Sequence, residues 1–116
     1  MTKRYEMIKN ITLGETYELS LVFADDTLMH ELNFKYRKKD KPTDVLSFSL
    51  EKNLGEIFIN KKEEPARKEY LFIHAMLHLK GLNHSEEMDK QEKKILKKII
   101  IKKRRTGKEI KNQENI

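Results

Sequence analysis

The sequence predicts a single domain of the α/β (α+β) class: a small mixed sheet packed with helices, with a central buried helix carrying a metal motif. Three observations predict it. YELSLVF at 17–23 alternates apolar and polar residues with a period of two, the mark of a half-buried strand. VLSFSL at 45–50 and GEIFI at 55–59 are β-rich runs joined by the short turn EKNL, a hairpin. From Tyr70 to Leu79 every residue is apolar except His74 and His78, and a helix that is apolar on nearly all sides is a buried one. A chain of 116 residues supports one modest core.

Taken in order, the first ten or so residues offer a weak strand ahead of the strand at 17–23. Asp25, Asp26 and Thr27 supply N-cap oxygens, and Leu28, Leu32 and Tyr36 recur at helical spacing, so 27–36 is a helix. Pro42 forbids its continuation. After the hairpin, Pro65 opens the buried helix, where its missing N–H would be unpaired in any case. Gly81 ends that helix in the left-handed conformation other residues resist. Ser85 caps the next helix, with Glu86, Glu87 and Asp89 in its first turn, and Met88, Glu92, Ile95, Leu96, Ile99 and Ile100 continue it with an apolar stripe. The domain runs over 1–101. The remainder, 102–116, is polar and unpatterned and is expected to be a basic, disordered tail.

Composition narrows the function. There is no cysteine, so disulfides are impossible and any metal must be held by His, Asp or Glu. No apolar run reaches the roughly 18 residues that span a bilayer, and MTKRYEMIKN lacks the apolar centre of a secretory signal. The expectation is a cytoplasmic protein with no membrane partner. The net charge of +6 is uneven: residues 90–116 carry eleven Lys/Arg against three Glu. A second basic cluster, KYRKKDK, covers 35–41 and brings Lys35, Arg37, Lys38, Lys39 and Lys41 together. Such segments attract polyanions, above all nucleic acid. The plainer reading of each is a solvated lysine-rich surface.

The chemistry lies in HAMLHLKGLNH at 74–84. Residues four apart on a helix share a face, so His74 and His78 can present ring nitrogens to one ion. Gly81 lets the chain turn back, and His84 can then supply a third ligand. Three imidazoles and no thiolate leave a coordination position open to water, as in catalytic zinc sites. Buried imidazoles without partners cost free energy, which weighs against three accidental histidines within eleven residues. His30 reads as a surface residue. The spacing equals that of the metzincin peptidases, H-E-x-x-H-x-x-G-x-x-H, but Ala75 stands where their general-base Glu belongs, so peptide hydrolysis by that route is disfavoured.

These residues resemble a known family, the YbeY endoribonucleases or rRNA maturation factors. Leu32-Asn33, Tyr36-Arg37, Asp40 and Lys41 to Phe48 are similar to its "LN..YR..D.PTDVLSF" block, HAMLHLKGLNH to its "HGxLHLxGxDH" metal motif, and Leu54-Gly55-Glu56-Ile57 to its "LGDI" element. Departures are Ala75 for Gly, Leu82 for Tyr, Asn83 for Asp, Glu56 for Asp and Ser49 for Pro. The chain also reads as short at its N-terminus, without the helix that precedes the family's first strand. The resemblance implies a metal-dependent endoribonuclease specific for single strands, acting in rRNA processing at the 3′ end of 16S rRNA and in ribosome quality control. Its cofactor would be one catalytic zinc ion on His74, His78 and His84, its functional arginine Arg37, and its partners RNA and the small ribosomal subunit. The physical reading of Arg37 agrees, since a guanidinium fork suits a phosphate and stabilises charge building on it.

As a mechanism, Arg37 and His84 are the expected catalytic pair. The metal would acidify water and polarise a phosphoryl oxygen, while Lys35, Lys38, Lys39 and Lys41 assist Arg37 in holding RNA. Whether water attacks directly or the ribose 2′-OH is deprotonated stays open at this point. The competing readings are a non-catalytic ribosome-assembly factor with a structural metal, a metallopeptidase relative, and a basic RNA-binding module without metal.

Overall fold

The computed structural model describes residues 1–81 and 87–99. Helix α1 (Lys3–Leu13) precedes strand β1 (Glu18–Ala24) and helix α2 (Asp26–Arg37); strands β2 (Val45–Glu51) and β3 (Leu54–Asn60) follow, then helix α3 (Pro65–Leu79). Residues 87–99 form a further helix, α4. The sheet order is β1-β3-β2, with β1 parallel and β2 antiparallel to the central β3. The sheet is therefore mixed, as expected. No helix among the described residues is long and apolar enough to cross a membrane.

Helices cover both sheet faces because each strand alternates between two clusters. Leu19, Leu21, Val45, Ile57 and Ile59 join the larger core with α1, α3 and α4. Val22, Ala24, Leu46, Phe48 and Phe58 join the smaller one with Met29 of α2. The central helix is buried through Leu71, Phe72, Ile73, Ala75, Met76 and Leu77. Its partner α4 contributes Met88, Ile95 and Ile99, whereas Leu96 of the expected stripe faces outward at 40% exposure.

The N-terminal segment corrects the sequence reading twice. It is a helix and not a weak strand, and the chain does carry a helix ahead of its first strand. Tyr5, Ile8 and Thr12 recur at helical spacing; Ile8 and Thr12 are buried, and Tyr5 packs half-buried on the core. Thr2 caps the start by accepting from the Tyr5 N–H at 3.3 Å. At the other end Gly14 takes φ 93°, a conformation without strain only for glycine. The Lys9 ammonium donates to the Gly14 and Glu15 carbonyls at 3.1 and 3.3 Å, placing a cation where the helix dipole is negative. Arg4 grips Glu69 through two bonds of 2.7 Å, and Tyr5 meets Phe72 edge-on at 4.9 Å. Together these fix α1 on α3. Phe23, expected on the buried face, lies on the edge strand at 42% exposure, with Tyr5 and the Lys68 ammonium against its ring.

Candidate metal and nucleic-acid site

From Tyr70 to its end, helix α3 is apolar except for its two histidines, and one stripe of the helix lines a cleft. Arg67, Tyr70, Leu71, His74, Ala75 and His78 recur at three- and four-residue steps and face an open cleft of about 380 Å³, whose opposite wall is Arg37, Asp44, Val45 and Ser47. Three of the residues singled out in the sequence, Arg37, His74 and His78, thus meet in one cleft although Arg37 sits on another helix.

The two imidazoles are aimed at each other. Their Nε2 atoms stand 3.2 Å apart, with the rings at 80°. Two nitrogens bound tetrahedrally to one zinc ion at about 2.0–2.1 Å lie roughly 3.3 Å from one another. The pair fits a shared cation. Glycine again explains the local backbone: Gly81, at φ 92°, follows the last turn and donates to the His78 carbonyl at 2.9 Å, and the helix ends one residue after His78. The third expected ligand, His84, and the expected cap, Ser85, lie outside the described residues. Among the described residues no group of three His, Cys, Asp or Glu converges to hold an ion; His74 and His78 could supply two ligands.

The other nitrogen of His74 is engaged. Its Nδ1 is 2.7 Å from the Glu92 carboxylate of α4, and both side chains are nearly buried, at 13% and 12% exposure. Tyr70 stacks on the same ring at 5.9 Å and 27°, while its own ring stays 43% exposed in the cleft. Arg67 donates to Asp44 at 2.9 Å and pairs with Glu63 at 3.4 Å, so two of the protein's own carboxylates share its half-exposed charge. Among the described residues no carboxylate pairs with Arg37.

Arg37 is placed by the segment that follows it. It ends α2, and Lys38 then turns the chain with φ 61°. Buried Asn33 donates to the Lys41 carbonyl at 2.8 Å and its own carbonyl accepts from the Lys39 N–H at 3.3 Å. His30 and Asp40 pair at 2.6 Å on the surface, where His30 was expected. The loop is pinned from both sides. Lys35, Lys38, Lys39 and Lys41 are exposed around it but do not line the cleft. Lys35 lies 5.3 Å over the Tyr36 ring, and Lys41 borders a shallower pocket with Pro42, Asn60 and Lys62. The basic tail at 102–116 lies outside the described residues.

Sequence reasoning missed Arg67, Tyr70, Asp44, Ser47 and Glu92. The first two were within reach, because they precede His74 by seven and four residues on the same helical face.

Comparison with known proteins follows the same lines. The family model described as "Endoribonuclease YbeY" matches residues 2–104. Proteins named endoribonuclease YbeY are similar to the chain: one from Desulfitobacterium hafniense is 34% identical, with 76% of this chain and 72% of that protein covered. One from Pelotomaculum thermopropionicum is 36% identical over 80% and 74%, and one from Campylobacter jejuni 39% identical over 74% and 78%. The solution structure of TM1509 from Thermotoga maritima superposes with a TM-score of 0.56 and 30% identity, covering 90% of this chain and 81% of that one.

Proposed function

The chain belongs to the YbeY family of endoribonucleases, and from that premise we propose that it is a zinc-dependent endoribonuclease that cuts single-stranded RNA. The proposed substrate is rRNA, at the 3′ end of the small-subunit 16S species. The proposed setting is the cytoplasm, with the small ribosomal subunit as partner in maturation and quality control. The observation that carries the reading is the convergence of the His74 and His78 Nε2 atoms, 3.2 Å apart, in the cleft that Arg37 also lines.

His74, His78 and His84 would hold the zinc ion. When bound it supplies Lewis acidity, which polarises phosphoryl oxygens and makes water more acidic. The chain's own residues do the rest. Arg37 offers a guanidinium fork to the scissile phosphate and stabilises charge that grows there. Arg67, held by Asp44 and Glu63, has its charge offset by those carboxylates and serves to shape the wall. Tyr70 presents an exposed ring face on which an unpaired base can stack, an interaction worth ~1–3 kcal/mol per base and open to any sequence. Ala75 carries no group that can take a proton. Lys35, Lys38, Lys39 and Lys41, outside the cleft, draw in the flanking RNA backbone.

The test pairs elemental analysis of the purified, untagged chain with cleavage of single-stranded RNA. Wild type is expected to carry about one zinc per chain and to cut. Arg37→Ala is expected to keep the metal and lose about 10²–10³ in kcat; His84→Ala is expected to lose both. A metal-free preparation that cuts at full rate overturns the reading. Products ending in 2′,3′-cyclic phosphate assign the ribose 2′-OH as nucleophile and exclude direct attack by water.

A further inference from the structure

We propose that Glu92 is a positioning residue for His74, holding its Nδ1–H so that Nε2 is the nitrogen presented to a metal; this rests on the metal-site reading above. A neutral imidazole carries one N–H, and whichever nitrogen bears it is lost as a metal donor. The carboxylate of Glu92 accepts only, so at 2.7 Å it fixes the proton on Nδ1. The lone pair of Nε2 is then directed at the 3.2 Å meeting point with His78.

The placement of Glu92 is itself unusual. It lies four residues after Met88 and three before Ile95, on the face of α4 whose other members, Met88, Ile95 and Ile99, are 1%, 5% and 5% exposed. A carboxylate on such a face is costly unless paired. His74 is the partner, 18 residues away in sequence and on another helix. The carboxylate that lines the cleft among the described residues, Asp44, is engaged by Arg67 and does not substitute. With Tyr70 stacked on the ring and Glu92 on its edge, the His74 imidazole is held both in plane and in tilt. Such outer contacts typically contribute a factor of about 10–100 in metal affinity.

The experiment measures zinc affinity of the full chain by competition against a chromophoric chelator. Glu92→Ala is expected to bind about 10–100-fold more weakly, while Glu92→Gln, whose amide oxygen still accepts from Nδ1–H, falls between it and wild type. Glu92→Ala binding within about twofold of wild type overturns the proposal. His74→Ala is the control. If it keeps wild-type affinity, the metal-site reading fails and takes this proposal with it; if it loses zinc while Glu92→Ala does not, only the positioning role fails. Because Glu92→Ala leaves a gap between helices, a second measurement uses the wild-type chain alone. Long-range proton–nitrogen NMR of the metal-free protein is expected to show His74 with its proton on Nδ1, and a proton on Nε2 overturns the assignment.

Discussion

Replacing Gly55 by alanine tests how tightly the central strand β3 packs against helix α3. Gly55 lies in β3, paired with Leu19 on one side and Ser49 on the other. A Cβ there would overlap the Tyr17 hydroxyl, stand 3.1 Å from a methyl of Leu79 and 3.2 Å from the Phe48 carbonyl oxygen. The Leu79 methyl can yield; the carbonyl is fixed in the sheet. Overpacking of this kind costs ~1–3 kcal/mol, against ~0.4–1 kcal/mol that a Gly→Ala change gains by restricting the unfolded chain. The net expectation is a loss of about 1–2 kcal/mol. Tyr17→Phe removes the nearest obstacle and also a hydroxyl that is buried without a hydrogen-bond partner among the described residues. It is therefore expected to be neutral or mildly stabilising by itself, and to relieve Gly55→Ala by about 1 kcal/mol in a double-mutant cycle. Urea unfolding with chelator present, so that metal binding does not enter the comparison, reads all four proteins. The packing argument is refuted if Gly55→Ala costs nothing, or costs the same with and without the Tyr17 hydroxyl.

Arg37→Lys keeps a cation but loses the planar fork, so cleavage is expected to stay well below wild type, close to Arg37→Ala; full recovery in a kcat assay would mean that charge alone suffices. Tyr70→Phe is expected to leave KM for single-stranded RNA near wild type and Tyr70→Ala to raise it about 5- to 150-fold, as loss of ~1–3 kcal/mol of stacking requires; equal KM values refute a stacking role. Deleting 102–116 removes six Lys/Arg and two Glu and should weaken RNA binding with a shallower dependence on salt; an unchanged slope in a binding titration removes the tail from the interface. The Asn60 amide, and after it Lys62, hold the Asp26 carboxyl below its ordinary 3.8. A depressed carboxylate stabilises fully above its unfolded value and ceases to do so as pH falls through the folded one. The stability gap between wild type and Asp26→Asn should thus be constant above pH 3.8 and close below it, as acid titration of unfolding will read.

What was legible in the sequence is what local periodicity encodes. The stretch from Tyr70 to Leu79 is apolar around its whole circumference apart from two imidazoles four apart, which makes it a buried helix with one polar stripe whatever surrounds it. The hairpin and the helix ending at Arg37 are read the same way, and Asp25 caps that helix by accepting from the Leu28 N–H at 2.9 Å. The first helix failed this test because polar residues complete its buried side. Thr12 is buried by bonding back to the Ile8 carbonyl at 2.8 Å, and Lys9 by reaching the Gly14 and Glu15 carbonyls. Counting apolar residues in that segment misses both, since each satisfies its polar group on a nearby backbone carbonyl, Thr12 inside the helix and Lys9 just past its end.

The role of Glu92 was illegible for a different reason. Its spacing puts it on the stripe of α4, but only the docking of α4 on α3 reveals the group it meets. One signal was available: Met88, Ile95 and Ile99 define the buried stripe of α4, and position 92 lies on it. A charged residue on an apolar stripe requires a partner of complementary chemistry. In this chain the candidates on the facing helix are few, because Arg67 is taken by Asp44 and Glu63 and the Lys68 ammonium lies over the Phe23 ring. Burial thus converts an unremarkable glutamate into a constraint on one histidine tautomer, and through it on which nitrogen faces the cleft.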